Sequence, residues 1–130
     1  MGTLGPCSPL LIVSDLERSL RHYVDALGFA VRHLSPQPQP FFAIVGRDSA
    51  QLMLKEVGPD IQPTPNPTRH PWAQWDVLIY CEAPDTLHAE LAISAAAACG
   101  ALDDTDDGLR GFTTIDPDGY VCMFAKPIGD

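Results

Sequence analysis

Val13-Ser14-Asp15-Leu16-Glu17-Arg18-Ser19-Leu20, followed by Tyr23 and by Leu27-Gly28-Phe29, is the stretch on which the fold turns. Just ahead of it, Pro9 to Val13 is a short apolar run that suits a buried strand. Ser14 to Glu17 matches a capping box, with Ser14 capping the helix and Glu17 reaching back. Leu16, Leu20, Tyr23, Val24 and Leu27 recur at helical spacing and give the helix one apolar face. Gly28 supplies the left-handed end. Phe29 to Leu34, Phe41 to Gly46 and Ala50 to Glu56 then read as strands, the last two joined by a tight turn at Arg47-Asp48-Ser49. The first half is therefore β-α-β-β-β.

A second cycle begins near Trp75. Asp76 to Glu82 reads as a strand, Pro84 takes a first-turn position, and Asp85 to Cys99 is an alanine-rich helix closed by Gly100. Its narrow apolar stripe is Leu87, Leu91 and Ala95. A short extra strand is expected near Ala101-Leu102. Leu109 to Ile115 and Tyr120 to Lys126 are strands joined by Asp116-Pro117-Asp118-Gly119, a tetrapeptide rich in turn chemistry. Two cycles of one motif each suggest an internal duplication. The expected organisation is one domain over residues 1–130, with a first module at 8–57, a connecting arm at 58–74 and a second module at 75–127. Eight of the 13 prolines lie between Pro36 and Pro71. They stiffen the connection and favour an ordered arm, because proline lowers the entropy of the unfolded chain.

Acids outnumber bases 17 to 8, a net charge of −9. Phosphate binding rests on a Lys/Arg surplus, so this excess argues against a nucleic-acid partner. It suits both ordinary solubility and attraction of a cationic ligand. No stretch approaches the ~20 apolar residues that cross a bilayer, and Met1 to Ile12 lacks the pattern of a signal peptide. Cys7, Cys81, Cys99 and Cys122 lack the paired short spacing of zinc sites and read as buried reduced thiols in a cytoplasmic protein.

The quoted opening resembles that of the vicinal-oxygen-chelate superfamily, which includes glyoxalase I, extradiol dioxygenases and bleomycin-resistance proteins. Gly108-Leu109-Arg110-Gly111-Phe112 with Asp116 to Tyr120 resembles the last hairpin of that family. The likeness runs from about Ser8 to Lys126. It implies an α+β fold of two βαβββ modules forming a cup-shaped, partly closed mixed sheet with the helices outside. Strand alternation agrees. It puts Gln51, Met53 and Lys55, then Asp76, Leu78 and Tyr80, then Val121 and Met123 on the cup side, with Leu52, Leu54, Val77 and Ile79 on the helix side. Tyr120, Cys122 and Phe124 fall to the core.

By the same resemblance, metal-using members place ligands at the positions of Ser8, Met53, Asp76 and Met123. Only Asp76 suits a hard or borderline ion, since thioethers are soft ligands. No metal and no cofactor are therefore expected. Among the histidines, His22 and His88 are expected on exposed helix faces, His33 near a strand end is open, and His70 on the arm is placed to reach a pocket. No His-x-x-x-His, Gly-x-Ser-x-Gly or phosphate-binding glycine loop occurs.

Two thioethers in place of ligands leave a soft, adaptable cup. The expected ligand-binding residues are Phe42, Met53, Trp72, Trp75, Asp76, Tyr80, Arg110, Phe112 and Met123, with Phe41 an alternative to Phe42. Core packing is the competing role for Phe112 and Tyr80. For Arg110 it is an ion pair with an acid such as Asp116. Bleomycin-resistance proteins are the subfamily most resembled, although Asp107 stands where drug-binding members tend to carry a tryptophan. That likeness implies a non-catalytic homodimer sequestering a hydrophobic or cationic antibiotic. The rival expectation is a metal-dependent lyase, isomerase or dioxygenase with displaced ligands at Glu56, His70 and Asp76.

Overall fold

The computed structural model describes residues 2–129. They form two compact units, one running to Pro63 and the other from Thr64 onward, and each carries one βαβββ module. Among the described residues, no helix is long and apolar enough to cross a membrane.

The first module comprises β1 (Leu10–Val13), α1 (Leu16–Leu20) running on as a π-helical segment (Arg21–Ala26), β2 (Ala30–Ser35), β3 (Phe42–Arg47) and β4 (Ala50–Glu56). Its sheet has the order β1-β4-β3-β2, with β1 parallel to β4 and the other pairs antiparallel. One face is the core. Leu11 and Val13, Ala43 and Val45, and Leu52 and Leu54 alternate along their strands, none more than 6% exposed. Leu16, Tyr23, Leu27 and Phe29 are likewise buried, and the Tyr23 and Phe29 rings meet edge-on at 6.1 Å. Truncating any of these large side chains costs roughly 2–5 kcal/mol, which is what makes the module's register unique.

The helix start differs from the expected capping box. Asp15, not Ser14, is the cap: its carboxylate accepts from the Arg18 amide at 3.1 Å. Ser14 Oγ accepts instead from the Arg18 guanidinium at 2.6 Å. Glu17 stays in solvent and pairs with Arg21 at 3.5 Å. Glu56, from the end of β4, accepts from the Leu16 amide at 2.7 Å and satisfies another free donor of the first turn. The π-helical widening is visible where the Leu27 amide reaches back five residues to the His22 carbonyl. It turns His22 inward beside Tyr23, their rings 4.7 Å apart, so His22 is buried rather than exposed as its 3.6-residue spacing implied.

The second unit carries α2 (Asn66–Arg69), β5 (Val77–Tyr80), α3 (Pro84–Ser94), β6 (Asp103–Asp104), β7 (Leu109–Ile115) and β8 (Val121–Pro127). Its sheet repeats the first topology, β5-β8-β7-β6, with β5 parallel to β8. The duplication is legible in register. Leu10 pairs with Met53 in one sheet, and Leu78 with Met123 in the other. The extra strand lies at Asp103–Asp104, two residues beyond its expected place. The second helix is shorter than expected. It stops at Ser94 because Ala95 leaves the helical region, and a 3-10 turn (Ala96–Ala98) follows.

The connecting arm has one helical turn of its own and is fastened to the β7–β8 hairpin. Pro65 is buried, the Thr64 backbone hydrogen-bonds Tyr120, and the Asn66 amide donates to Asp76 at 2.6 Å. Burial holds the Tyr120 phenol above its usual pKa. The hairpin turn is held by Asp116, which accepts from the Asp118 and Tyr120 amides at 2.9 and 2.8 Å. Gly119 there adopts φ 92°, a conformation open to glycine. Of the four thiols only Cys122 is buried; contrary to expectation Cys7 is exposed and Cys81 and Cys99 are half-buried, and none of the four is in a disulfide.

Candidate functional site

The first sheet has a second face, and it is only half-covered. Because residues opposite one another across a ladder share a face, three rows can be read from the register. The central row is Leu10–Met53–Ile44–His33. Beside it runs Ile12–Lys55–Phe42–Ser35. On the other side, Gln51 lies opposite Gly46 and donates to Ser8 Oγ at 2.8 Å. Met53, Ile44 and Phe42 are half-buried, and Leu10 and His33 are exposed. The His33 and Phe42 rings meet edge-on at 6.0 Å. This is an apolar floor with aromatic and polar margins, the composition of a small-molecule site.

Two cations border that floor. Lys55 Nζ stands 5.8 Å from the centre of the Phe41 ring, within cation–π range. Arg32 lies on the same face at a bulge, since Val31 pairs with Val45 on the core side while His33 pairs with Ile44 on the open side. Its guanidinium lies over Gly46, in space that a Cβ at that position would occupy. There it donates to Gln51 Oε1 at 3.2 Å and to the Asp48 carbonyl at 2.8 Å. Sequence reading placed Lys55 on this side without assigning it a role, and it missed Arg32. A glycine inside a strand was the available signal, since it marks close approach by another group.

In the second sheet, Met123 lies opposite Leu78 and Thr113 but is 3% exposed. Phe112 and Arg110 fall on the other face of β7, two and four residues from Thr114. Phe112 is buried, stacked on Phe124 at 5.5 Å and touched edge-on by His88 at 4.8 Å, so it packs in the core. His88 is half-buried, not exposed, and its Nε2 donates to the Gly100 carbonyl at 2.9 Å. Arg110 does pair with acids, although not with Asp116. It makes a two-bonded fork to Asp85 at the start of α3, both bonds 2.9 Å, and a third bond to Asp104 at 2.8 Å. The fork holds the Asp85 carboxyl below its usual pKa and raises that of Arg110. An open groove of about 540 Å³ lies alongside, lined by Glu82, Lys126 and Ile128 among others.

Asp76 is committed to the backbone. Its Oδ1 accepts from the Asn66 amide at 2.6 Å and its Oδ2 from the Val121 amide at 2.8 Å. The rival ligand set is similarly occupied: Glu56 holds the Leu16 amide, and His70 Nδ1 accepts from the Trp72 amide at 3.1 Å. Of the positions that the resemblance gives to ligands, Ser8 and Met53 in the first unit offer a hydroxyl already accepting from Gln51 and a thioether, and Asp76 and Met123 in the second offer a carboxylate with an amide on each oxygen and a thioether. Neither pair fits a hard divalent ion. Trp72 is 86% and Tyr80 69% exposed, while Trp75 is half-buried. The structure therefore groups Phe42 and Met53 on one face, and sets Arg110 and Phe112 on the opposite side of β7 from Met123's partner Thr113.

Comparison with known proteins places this architecture. A search of curated sequences returned no match. Among solved structures, the bleomycin-binding protein of Streptomyces verticillus, complexed with copper(II)-bleomycin, is similar at 23% identity over 100% of both chains, with a TM-score of 0.70. An antibiotic-binding protein from Streptomyces sp. CB03234 is 22% identical over 98% of both chains, with a TM-score of 0.71. A glyoxalase-related enzyme from Clostridium phytofermentans is 12% identical over 97% of both, with a TM-score of 0.73. At these identities the likeness is one of fold, and it spans binders and enzymes alike. The family model for this fold matches residues 5–124, nearly the whole chain. The chain belongs to the glyoxalase/bleomycin resistance protein/dioxygenase superfamily.

Proposed function

We propose that the protein is a non-catalytic binder that sequesters a hydrophobic, antibiotic-like small molecule, using the open face of the first sheet as its floor. The observation that carries this reading is the central row, where Met53 stands between Leu10 and Ile44 at a position that metal-using relatives give to a ligand. A thioether there adapts to flat organic groups and offers nothing to magnesium, manganese or zinc. The engagement of both Asp76 oxygens by backbone amides supports the same reading, because it gives this carboxylate a structural role without a metal or a cationic ligand. The proposal includes a two-fold homodimer, carried over from the family resemblance, and a cytoplasmic location, carried over from the scattered cysteines. Phe42 and Met53 are its principal contacts.

The test is a thermal-shift panel of aromatic and glycopeptide antibiotics, run with and without a chelator, because a ligand that binds only the native state raises the melting point. Hits should persist in chelator, be recovered chemically unchanged, and weaken at least tenfold in Met53→Glu. Loss of binding on chelation, or a transformed ligand, would overturn the reading.

A further inference from the structure

The chain carries a net charge of −9, yet every charged side chain on the open face of the first sheet is basic. The three rows hold no Asp or Glu. Glu56, the one carboxylate of β4, lies on the opposite face and is bound to the Leu16 amide. Among the described residues neither cation of this face has a carboxylate partner. Lys55 meets only the Phe41 ring, and Arg32 donates only to neutral oxygens of Gln51 and Asp48. The contrast with Arg110, neutralised by two carboxylates elsewhere, shows that this chain pairs its cations where they serve structure.

We propose that this face takes an aromatic anion, with its ring laid on Met53, Ile44 and Phe42 and its acid group set against Lys55. This rests on the binding-protein reading above and assigns the charge of the ligand. Its sign is opposite to the one the overall charge suggests. Local charge governs here, because fields from acids elsewhere on the surface fall off within a Debye length of about 8–10 Å. Lys55 and Arg32 sit at opposite ends of the floor, since Lys55 and Gln51 are four residues apart on one strand, ~13 Å. An elongated ring system with an acid at one end therefore meets a cation in either orientation, Lys55 being preferred because Arg32 is already hydrogen-bonded.

The experiment uses the full chain and three probes of one shape: 2-naphthoate, 2-naphthylmethylammonium and 2-naphthalenemethanol, each titrated calorimetrically. Naphthoate should bind at least tenfold more tightly than the ammonium compound, and 0.5 M salt should weaken naphthoate alone. Lys55→Met should remove most of that preference, Lys55→Arg should keep it, and both should melt with the parent. If the alcohol binds but the ammonium compound matches or beats naphthoate, or if Lys55→Met leaves the ratio unchanged, the charge assignment is overturned while the binding reading stands. If none of the three binds, or if Lys55→Met alters only the sedimentation of the protein, the face is not a ligand floor. In that case both readings fail.

Discussion

Replacing Asp76 by alanine deletes two hydrogen bonds at once, from the Asn66 amide at 2.6 Å and the Val121 amide at 2.8 Å. A hydrogen bond to a charged acceptor contributes about 1.5–3 kcal/mol when its partner is then left unsatisfied. Asp76 is half-buried, so water recovers part of this, and the pair together should cost about 3 kcal/mol. For a chain of this size that is a fall in melting temperature of roughly 10 °C. Asp76→Asn separates charge from geometry. It keeps one acceptor but turns an NH₂ toward the second amide, so it should lose at least half as much. The assay is urea unfolding followed by circular dichroism, paired with ligand titration of the folded variants. Ligand affinity should change less than twofold while the unfolding midpoint drops. A variant that unfolds within about 0.5 kcal/mol of the parent, or one that loses ligand without losing stability, would refute the structural role given to this carboxylate.

Burial lowers the pKa of His22 to about 4, and its Nε2 has no hydrogen-bond partner. The unfolded chain, with an ordinary value near 6.5, takes up the proton first. This contribution to stability is therefore complete above about pH 6.5 and is lost as pH falls toward 4, by about 3 kcal/mol in all. Subtracting the pH–stability curve of His22→Leu from that of the parent should isolate the slope; parallel curves would refute it. Gly111→Ala drives a Cβ into the Phe124 carbonyl and the Ala125 backbone of β8, where neither side can give way. It should cost about 3 kcal/mol or more, measured by chemical denaturation. Gly46→Ala first meets the flexible end of Arg32, so a loss of about 1 kcal/mol or less is expected, with Arg32 displaced in the ¹H–¹⁵N spectrum. Arg110→Lys breaks the fork to Asp85. It should raise amide exchange at the start of α3 and leave naphthoate affinity within twofold.

The strands were legible because alternation is a local property. Leu52 and Leu54 against Gln51, Met53 and Lys55 announce both the strand and its two faces, and the structure keeps that division. The Asp116 to Gly119 turn was legible for the same reason. The open face of the first sheet was only partly so. Alternation put Met53 on that face, but the bulge between Val31 and His33 sets Arg32 and His33 there together, where strict alternation admits only one of two consecutive residues. Arg110 and Phe112 belong to a motif that the resemblance associates with binding. Parity along β7 nevertheless sets them with the helix, where Asp85 and His88 meet them. His22 was misplaced because nothing in its neighbours' spacing announces a π-helical turn.

Hydrophobic period, turn chemistry and charge count act over a few residues, and from them the sequence by itself determined the two βαβββ cycles, their core faces and the acidic balance of the chain. Which polar groups are spent on the fold and which stay free depends on partners forty or more residues away. Asp76 meets Val121, Leu16 meets Glu56, and Ser8 meets Gln51 only once the parallel pairs β1–β4 and β5–β8 have formed. The tertiary structure alone decided those pairings. In doing so it tied Asp76 to two backbone amides and left Lys55 and Arg32 without carboxylate partners on an open apolar face.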